Sequence, residues 1–257
     1  MGFPRRAGLS LALAGVDPRA LVRAACGTPR FVADFVRFNR LATRAGEHKA
    51  RMSQLLPALT DAQAPAGAAF SEYFLADLYV ARLIYRQRPE RHVDVGSRID
   101  GLIAHLLTFV DVDVVDIRPF VSEVPGLRFV HADALAHEGI AAGSAPSVSS
   151  LHALEHFGLG RYGDSLDPEG HRKGLHVVAR LVAPSGRLYV AVPIGRPTVN
   201  FNAHRVLAPT FVADELGSEF DLVEFAAVVD GRLNEALEPA ALAQHDWALG
   251  IYHLRRR

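Results

Sequence analysis

The run His92-Val93-Asp94-Val95-Gly96-Ser97-Arg98-Ile99-Asp100-Gly101 decides how the chain folds. Val93 and Val95 are β-branched, and the residues before His92 are polar and include Pro89, so a buried strand begins near His92. Gly96 allows a tight turn where a side chain would clash. Gly101-Leu102-Ile103-Ala104-His105-Leu106-Leu107 then carries apolar residues at helical spacing. A strand, a glycine turn and a helix present free backbone N–H groups and a positive helix end, which suits a nucleotide-like ligand. The same pattern also serves packing alone in many α/β units.

Working outward, Ser71 caps a helix that runs to Arg86, with Phe74, Leu75, Leu78, Tyr79, Ala81 and Leu83 forming its apolar face. Downstream, strands are expected at residues 112–117, 127–131, 146–151 and 187–193, with helices at 170–182 and 209–216. Residues 221–229 and Asp230-Gly231 read as a strand entering a hairpin, with residues 247–254 as the returning partner. Alternating strands and helices predict an α/β fold: a mostly parallel sheet covered on both faces, with an antiparallel terminal hairpin. Residues 1–68 read as an N-terminal helical extension, a lid or a homodimer surface, with short helices at 18–25 and 28–36 and a linker at 63–69.

The chain has 257 residues, 49% of them hydrophobic, enough for one substantial core. A formal net charge of +0 lacks the electrostatic footprint of a nucleic-acid binder. One cysteine, Cys26, excludes an intrachain disulfide and a cysteine-based zinc site, and fits a cytoplasmic location. No apolar run approaches the roughly 20 residues of a membrane span. Residues 8–16 faintly resemble a signal peptide, but Asp17-Pro18-Arg19 follows without a cleavage site.

In a doubly wound sheet the ligand sits beyond the carboxyl ends of the strands. Asp116 ends the second strand, where a carboxylate meets a ribose diol, and Asp133 follows the third, placed to reach an adenine amino group. After the fourth strand, His152, Glu155 and His156 stand at i, i+3 and i+4, on one face if the segment is helical, and His204 follows the fifth strand into the same cleft. Three readings stay open for this set. It holds a divalent cation such as Mg²⁺ or Mn²⁺; His156 acts alone as a general base beside Glu155 and His204; or the polar residues only cap a core turn. The long loop over residues 158–170 offers Arg161, Tyr162 and Asp164 as a substrate rim, with Asn202 and Arg205 opposite.

The order Val93-Asp94-Val95-Gly96, Val115-Asp116, Ala132-Asp133-Ala134, Ser150-Leu151-His152-Ala153-Leu154-Glu155-His156 and Pro184–Pro193 resembles the class I S-adenosylmethionine-dependent methyltransferases, over roughly residues 70–254. Residues 92–101 and 151–208 more narrowly resemble an uncharacterised methyltransferase-like family of bacterial surface-glycan and secondary-metabolite gene clusters. Its runs here are His156-Phe157-Gly158-Leu159-Gly160-Arg161-Tyr162-Gly163-Asp164 and Phe201-Asn202-Ala203-His204-Arg205. The resemblance implies a Rossmann-like seven-stranded sheet over residues 69–257. It also implies methyl transfer from S-adenosylmethionine to a small polar acceptor, by O-methylation of a sugar or nucleotide-sugar. Asp94, Gly96, Ser97, Arg98, Asp116, Asp133 and His152 would then face the cofactor. Gly96 is followed by Ser97-Arg98 where the superfamily has further glycines. Arg98 accordingly either pairs with the cofactor carboxylate or fills its place. The histidine set resembles that of metal-assisted O-methyltransferases, with His152 where they carry Glu. Two alternatives accompany this reading: a fold relative that binds a nucleotide-like ligand or a partner without methyl transfer, and a metal-dependent enzyme of other chemistry.

Overall fold

The computed structural model describes residues 18–59, 69, 71–132 and 141–257. The chain divides into two compact units at Ala68/Ala69. Residues 8–16, the expected linker over 63–68, and Asp133 lie outside the described residues.

Among the described residues of the first unit one α-helix, α1 (Pro18–Ala45), spans the stretch where two short helices were expected, and a 3₁₀ turn follows at Met52–Gln54. Pro29 lies inside α1 and removes one backbone donor. The helix continues because the flanking residues are rich in Ala, Arg and Leu, and Thr28 Oγ1 donates to the Ala24 carbonyl at 2.9 Å. No helix among the described residues is long and apolar enough to cross a membrane.

The second unit begins with α2 (Glu72–Gln87), capped as its sequence requires: the Ser71 side chain accepts from the Phe74 N–H, at 3.2 Å. The strands follow as β1 (His92–Val95), β2 (Val112–Asp116), β3 (Leu127–His131), β4 (Ala145–Leu151) and β5 (Val182–Ile194). A π-helical turn (Ile99–Ile103) and α3 (Ala104–Leu106) connect β1 to β2, and α4 (Gly170–Leu181) precedes β5. A small hairpin, β6 (Thr198–Asn200) and β7 (His204–Val206), leads to α5 (Phe211–Leu216), β8 (Phe220–Val229), β9 (Arg232–Asn234) and β10 (Ala248–Arg256).

The main sheet has eight strands in the order β3-β2-β1-β4-β5-β10-β8-β9. From β3 to β5 neighbouring strands are parallel; β10 is antiparallel to both β5 and β8. The hairpin at Asp230-Gly231 closes on β9, with Val229 paired to Arg232, and not on the later strand. Both turn residues have positive φ (49° and 72°), the geometry of a two-residue turn that returns the chain at once. The later strand instead inserts between β5 and β8.

The apolar strand residues divide between the two faces of the sheet. Val93, Val95, Val148, Val190 and Val192 pack with Leu175 and Val178 of α4 on one face. Val112, Val114, Leu151 and Ala191 pack with Val80, Leu83 and Ile84 of α2 and with Leu102, Ile103 and Leu106 on the other. With both faces covered, the open edge of the parallel region is the row of strand carboxyl ends, and the order reverses beside β1.

Candidate active site

β1 hands over to a turn centred on Gly96, whose φ is +76°. Its N–H donates to the Val115 carbonyl at 2.9 Å, and a Cβ there would lie 3.0 Å from that of Ala153. A side chain is thus excluded by both conformation and space.

Asp94 and Ser97, expected to face the cofactor, hold this turn from beneath and do not line the cavity. Register pairs Asp94 with Ser149 of β4, so its carboxylate points into the buried seam between the two strands. It accepts from the Ser97 N–H (3.0 Å), the Ser97 hydroxyl (2.6 Å) and the Ser149 hydroxyl. Ser97 Oγ in turn accepts from the Leu151 N–H at 2.9 Å. Behind them His92 Nε2 meets Ser149 Oγ at 2.8 Å and Nδ1 meets Ser147 Oγ at 2.7 Å. Ser149 gives its proton to Asp94, so it accepts from His92 Nε2–H, and Nδ1 takes the Ser147 proton. Burial lowers His92 to about 3 and so keeps the ring neutral; burial likewise raises Asp94 to about 6.

Above the turn lies a cavity of about 810 Å³, open mouth included, lined by Gly96, Arg98, Asp116, His152, His156 and Arg161 among others. The Asp116 carboxylate takes a two-pronged contact from Arg118, and its Oδ1 also accepts the Arg118 N–H at 2.8 Å. Arg98 pairs with Asp100 at 3.0 and 2.6 Å and lies 5.2 Å from the centre of the Tyr73 ring. Tyr73 and Arg118 line the cavity and escaped the sequence reading. The Arg118 contact is local, two residues from Asp116. Tyr73 is signalled only by a large aromatic at the second residue of α2.

The histidine segment departs from the expected helical face. His152 has φ +53° and stands outside the single 3₁₀ turn Leu154–His156, so the i, i+3, i+4 spacing does not bring the three side chains together. His152 packs against Tyr73 with ring centres 4.2 Å apart and planes tilted by 31°, and burial lowers it to about 3. Glu155 is buried, does not line the cavity, and is raised by burial to about 8; its Oε1 lies 3.8 Å from His156 Nε2. His204 contacts Asn200 Nδ2 at 3.1 Å, meets Trp247 edge-on and also lies outside the lining. Among the described residues no three His, Cys, Asp or Glu side chains are placed to hold a metal ion. The expected cation set of His152, Glu155, His156 and His204 is therefore not assembled.

His156 does line the cavity. Its Nδ1 is 2.6 Å from the Ala203 carbonyl, which fixes the proton on Nδ1 and leaves the lone pair on Nε2. Burial lowers it to about 4, so the ring is neutral at physiological pH. Arg161 Nη1 donates to the same carbonyl at 2.9 Å. Tyr162 meets the His156 ring edge-on and lies under two guanidiniums, those of Arg118 at 4.7 Å and Arg161 at 5.1 Å.

The remaining rim residues have internal duties. Asp164 borders the cavity, but its carboxylate accepts the N–H groups of Gly158, Gly160 and Tyr162 and shapes its own loop. Arg205 is buried; it donates to the carbonyls of Phe157 (2.6 Å), Glu155, Asp167 and Pro168 and so ties β7 to the loop. Asn202 sits exposed at the hairpin tip with φ +58°, outside the lining. Arg161 and Tyr162 are the two rim residues that keep free edges on the cavity.

A family model described as "Caenorhabditis protein of unknown function, DUF268" matches residues 138–232, the stretch holding β4, the loop, α4, β5 and β8. No curated protein matches the sequence. Among solved structures, the [4+2]-cyclase SpnF is similar at 12% identity over 74% of this chain and 85% of that one, with a TM-score of 0.50. The 1,6-didemethyltoxoflavin-N1-methyltransferase of Burkholderia thailandensis, with bound 1,6-didemethyltoxoflavin and S-adenosylhomocysteine, is 18% identical over 70% of this chain and 78% of its own, with a TM-score of 0.48. The N-methyltransferase NodS of Bradyrhizobium japonicum is 11% identical over 72% and 88%, with a TM-score of 0.49. The strand order and the SpnF match define the class: the chain has the fold of the class I S-adenosylmethionine-dependent methyltransferases. That fold also carries a cyclase, so activity rests on the site.

Proposed function

We propose that the protein transfers the methyl group of S-adenosylmethionine to a hydroxyl of a small polar, sugar-like acceptor. One observation carries this reading: the cavity at the strand ends joins a glycine turn and a β2-terminal carboxylate on one side to a histidine whose Nδ1 is held by a backbone carbonyl on the other. Gly96 brings bare backbone to the cavity wall, and the Asp116 carboxylate, with both sites on Oδ1 taken by Arg118, retains one on Oδ2. These residues fit the nucleoside half of the cofactor. Arg98, on the turn where further glycines are missing, is paired with Asp100 through Nε and Nη2 and offers the cofactor carboxylate its remaining N–H groups. When bound, the cofactor supplies an electrophilic methyl group on a sulfonium centre. His156 Nε2 accepts the acceptor's hydroxyl proton, and the Ala203 carbonyl holds the ring in the tautomer that this requires. Tyr73 and Tyr162 wall the cavity and help to exclude water. No step is assigned to a metal, because the described side chains do not converge on one.

Calorimetric titration with S-adenosylmethionine and S-adenosylhomocysteine tests this. Micromolar binding is expected, weakened at least about tenfold by Asp116→Ala through loss of a charge-assisted hydrogen bond. Absence of binding would leave the alternative of a fold relative that serves another nucleotide-like ligand.

A further inference from the structure

The cavity's charge is not balanced evenly. Arg98 is paired with Asp100, and Arg118 with Asp116. Asp164 borders the same space, but its carboxylate is occupied by three backbone N–H groups. Arg161 lines the cavity with no carboxylate partner among the described residues; its Nη1 rests on the Ala203 carbonyl and its guanidinium packs near the Tyr162 ring. A half-buried guanidinium held by a neutral carbonyl and an aromatic ring keeps its full charge and the outer part of its fork. The carbonyl that fixes Arg161 also fixes Nδ1 of His156. The cation therefore stands beside the base, not at a distant rim.

We propose that the methyl acceptor is anionic, carrying a carboxylate next to the hydroxyl that is methylated, and that Arg161 is the residue that selects it. This deepens, and rests on, the methyltransferase reading above. A planar carboxylate matches the remaining N–H groups of the fork, and the other two guanidiniums of the cavity, Arg98 and Arg118, already face the carboxylates of Asp100 and Asp116. A neutral sugar leaves Arg161 partly desolvated and without a counter-charge, which works against its binding. Arg161 is thus a specificity residue, and its effect is separable from that of the cofactor side.

The test uses protein saturated with S-adenosylhomocysteine and titrated calorimetrically with three probes of one shape: glucuronate, glucose 6-phosphate and glucose. Glucuronate is expected to bind at least about tenfold more tightly than glucose, as a charge-assisted contact requires. Arg161→Gln is expected to close that gap without changing the affinity for S-adenosylhomocysteine, and Arg161→Lys to restore part of it. Tighter binding of glucose 6-phosphate than of glucuronate would overturn the carboxylate assignment. Equal binding of glucose and glucuronate, or binding of none of the three, would overturn the anionic acceptor altogether. A loss of S-adenosylhomocysteine affinity in Arg161→Gln would assign Arg161 to the cofactor and also overturn the proposal. Failure of wild-type protein to bind S-adenosylhomocysteine is a separate result that sinks the methyltransferase reading. The same three titrations on ligand-free protein then still report on Arg161.

Discussion

The turn after β1 and the loop after β4 stand at the same end of the same sheet, and they use polar side chains in opposite ways. Around the turn, Asp94, Ser97, Ser149 and His92 satisfy one another below the surface, leaving Gly96 and its backbone to border the cavity. Around the loop, Asp164 and Arg205 fasten the backbone, while His156 and Arg161 share one carbonyl and keep other atoms free. A closed network fixes shape, whereas an open one offers chemistry.

Substitutions in the two regions should therefore fail in different ways. The largest effect is expected at His156. His156→Ala should lower turnover of S-adenosylmethionine with glucuronate as acceptor by about 10²-fold or more, the usual worth of a general base, while S-adenosylhomocysteine still binds as in wild type. Loss of cofactor affinity in that variant would break the contrast. Next comes Asp94→Ala, which strips three donors of their buried acceptor. Urea unfolding should show a loss of about 3 kcal/mol. A variant as stable as wild type would mean that the network beneath the turn is not what holds it.

The smallest effect, and the one that sharpens the comparison most, concerns Glu155, which lies between the two regimes. Its folded pKa of about 8 is above the ordinary 4.5. The folded state thus holds a proton that the unfolded state releases. The stability this gives is present at low pH and is lost as pH rises through about 8. Glu155→Gln should escape that loss, so the Tm difference in favour of the variant should widen between pH 5 and pH 8.5, by about 2–4 °C for each kcal/mol lost. A difference that is constant with pH would show that Glu155 is already ionised in the fold.

Much of the fold was legible in the sequence because it is written locally. Val93 and Val95 announce β1, Ser71 announces the start of α2, and Asp230-Gly231 announces a two-residue turn. The expected returning strand does pair antiparallel with β8, but the turn itself closes first on a short strand, Arg232–Asn234, which carries too little pattern to register. The site was less legible. The spacing of His152, Glu155 and His156 implies a shared face only on a helix, and a left-handed His152 breaks the helix before it begins. Arg205 looks like a ligand-binding arginine in sequence; the four carbonyls that bury it lie 37 to 50 residues away. Asp94 looks like a cofactor contact until its register with Ser149 is known.

The shared acceptor of His156 and Arg161 is a main-chain oxygen, at Ala203. No side-chain replacement at that position removes it, so identity there is free to drift without touching the chemistry. What the chain must keep is the path of the hairpin between β6 and β7. Lengthening that hairpin by one residue would move the base and its neighbouring cation together.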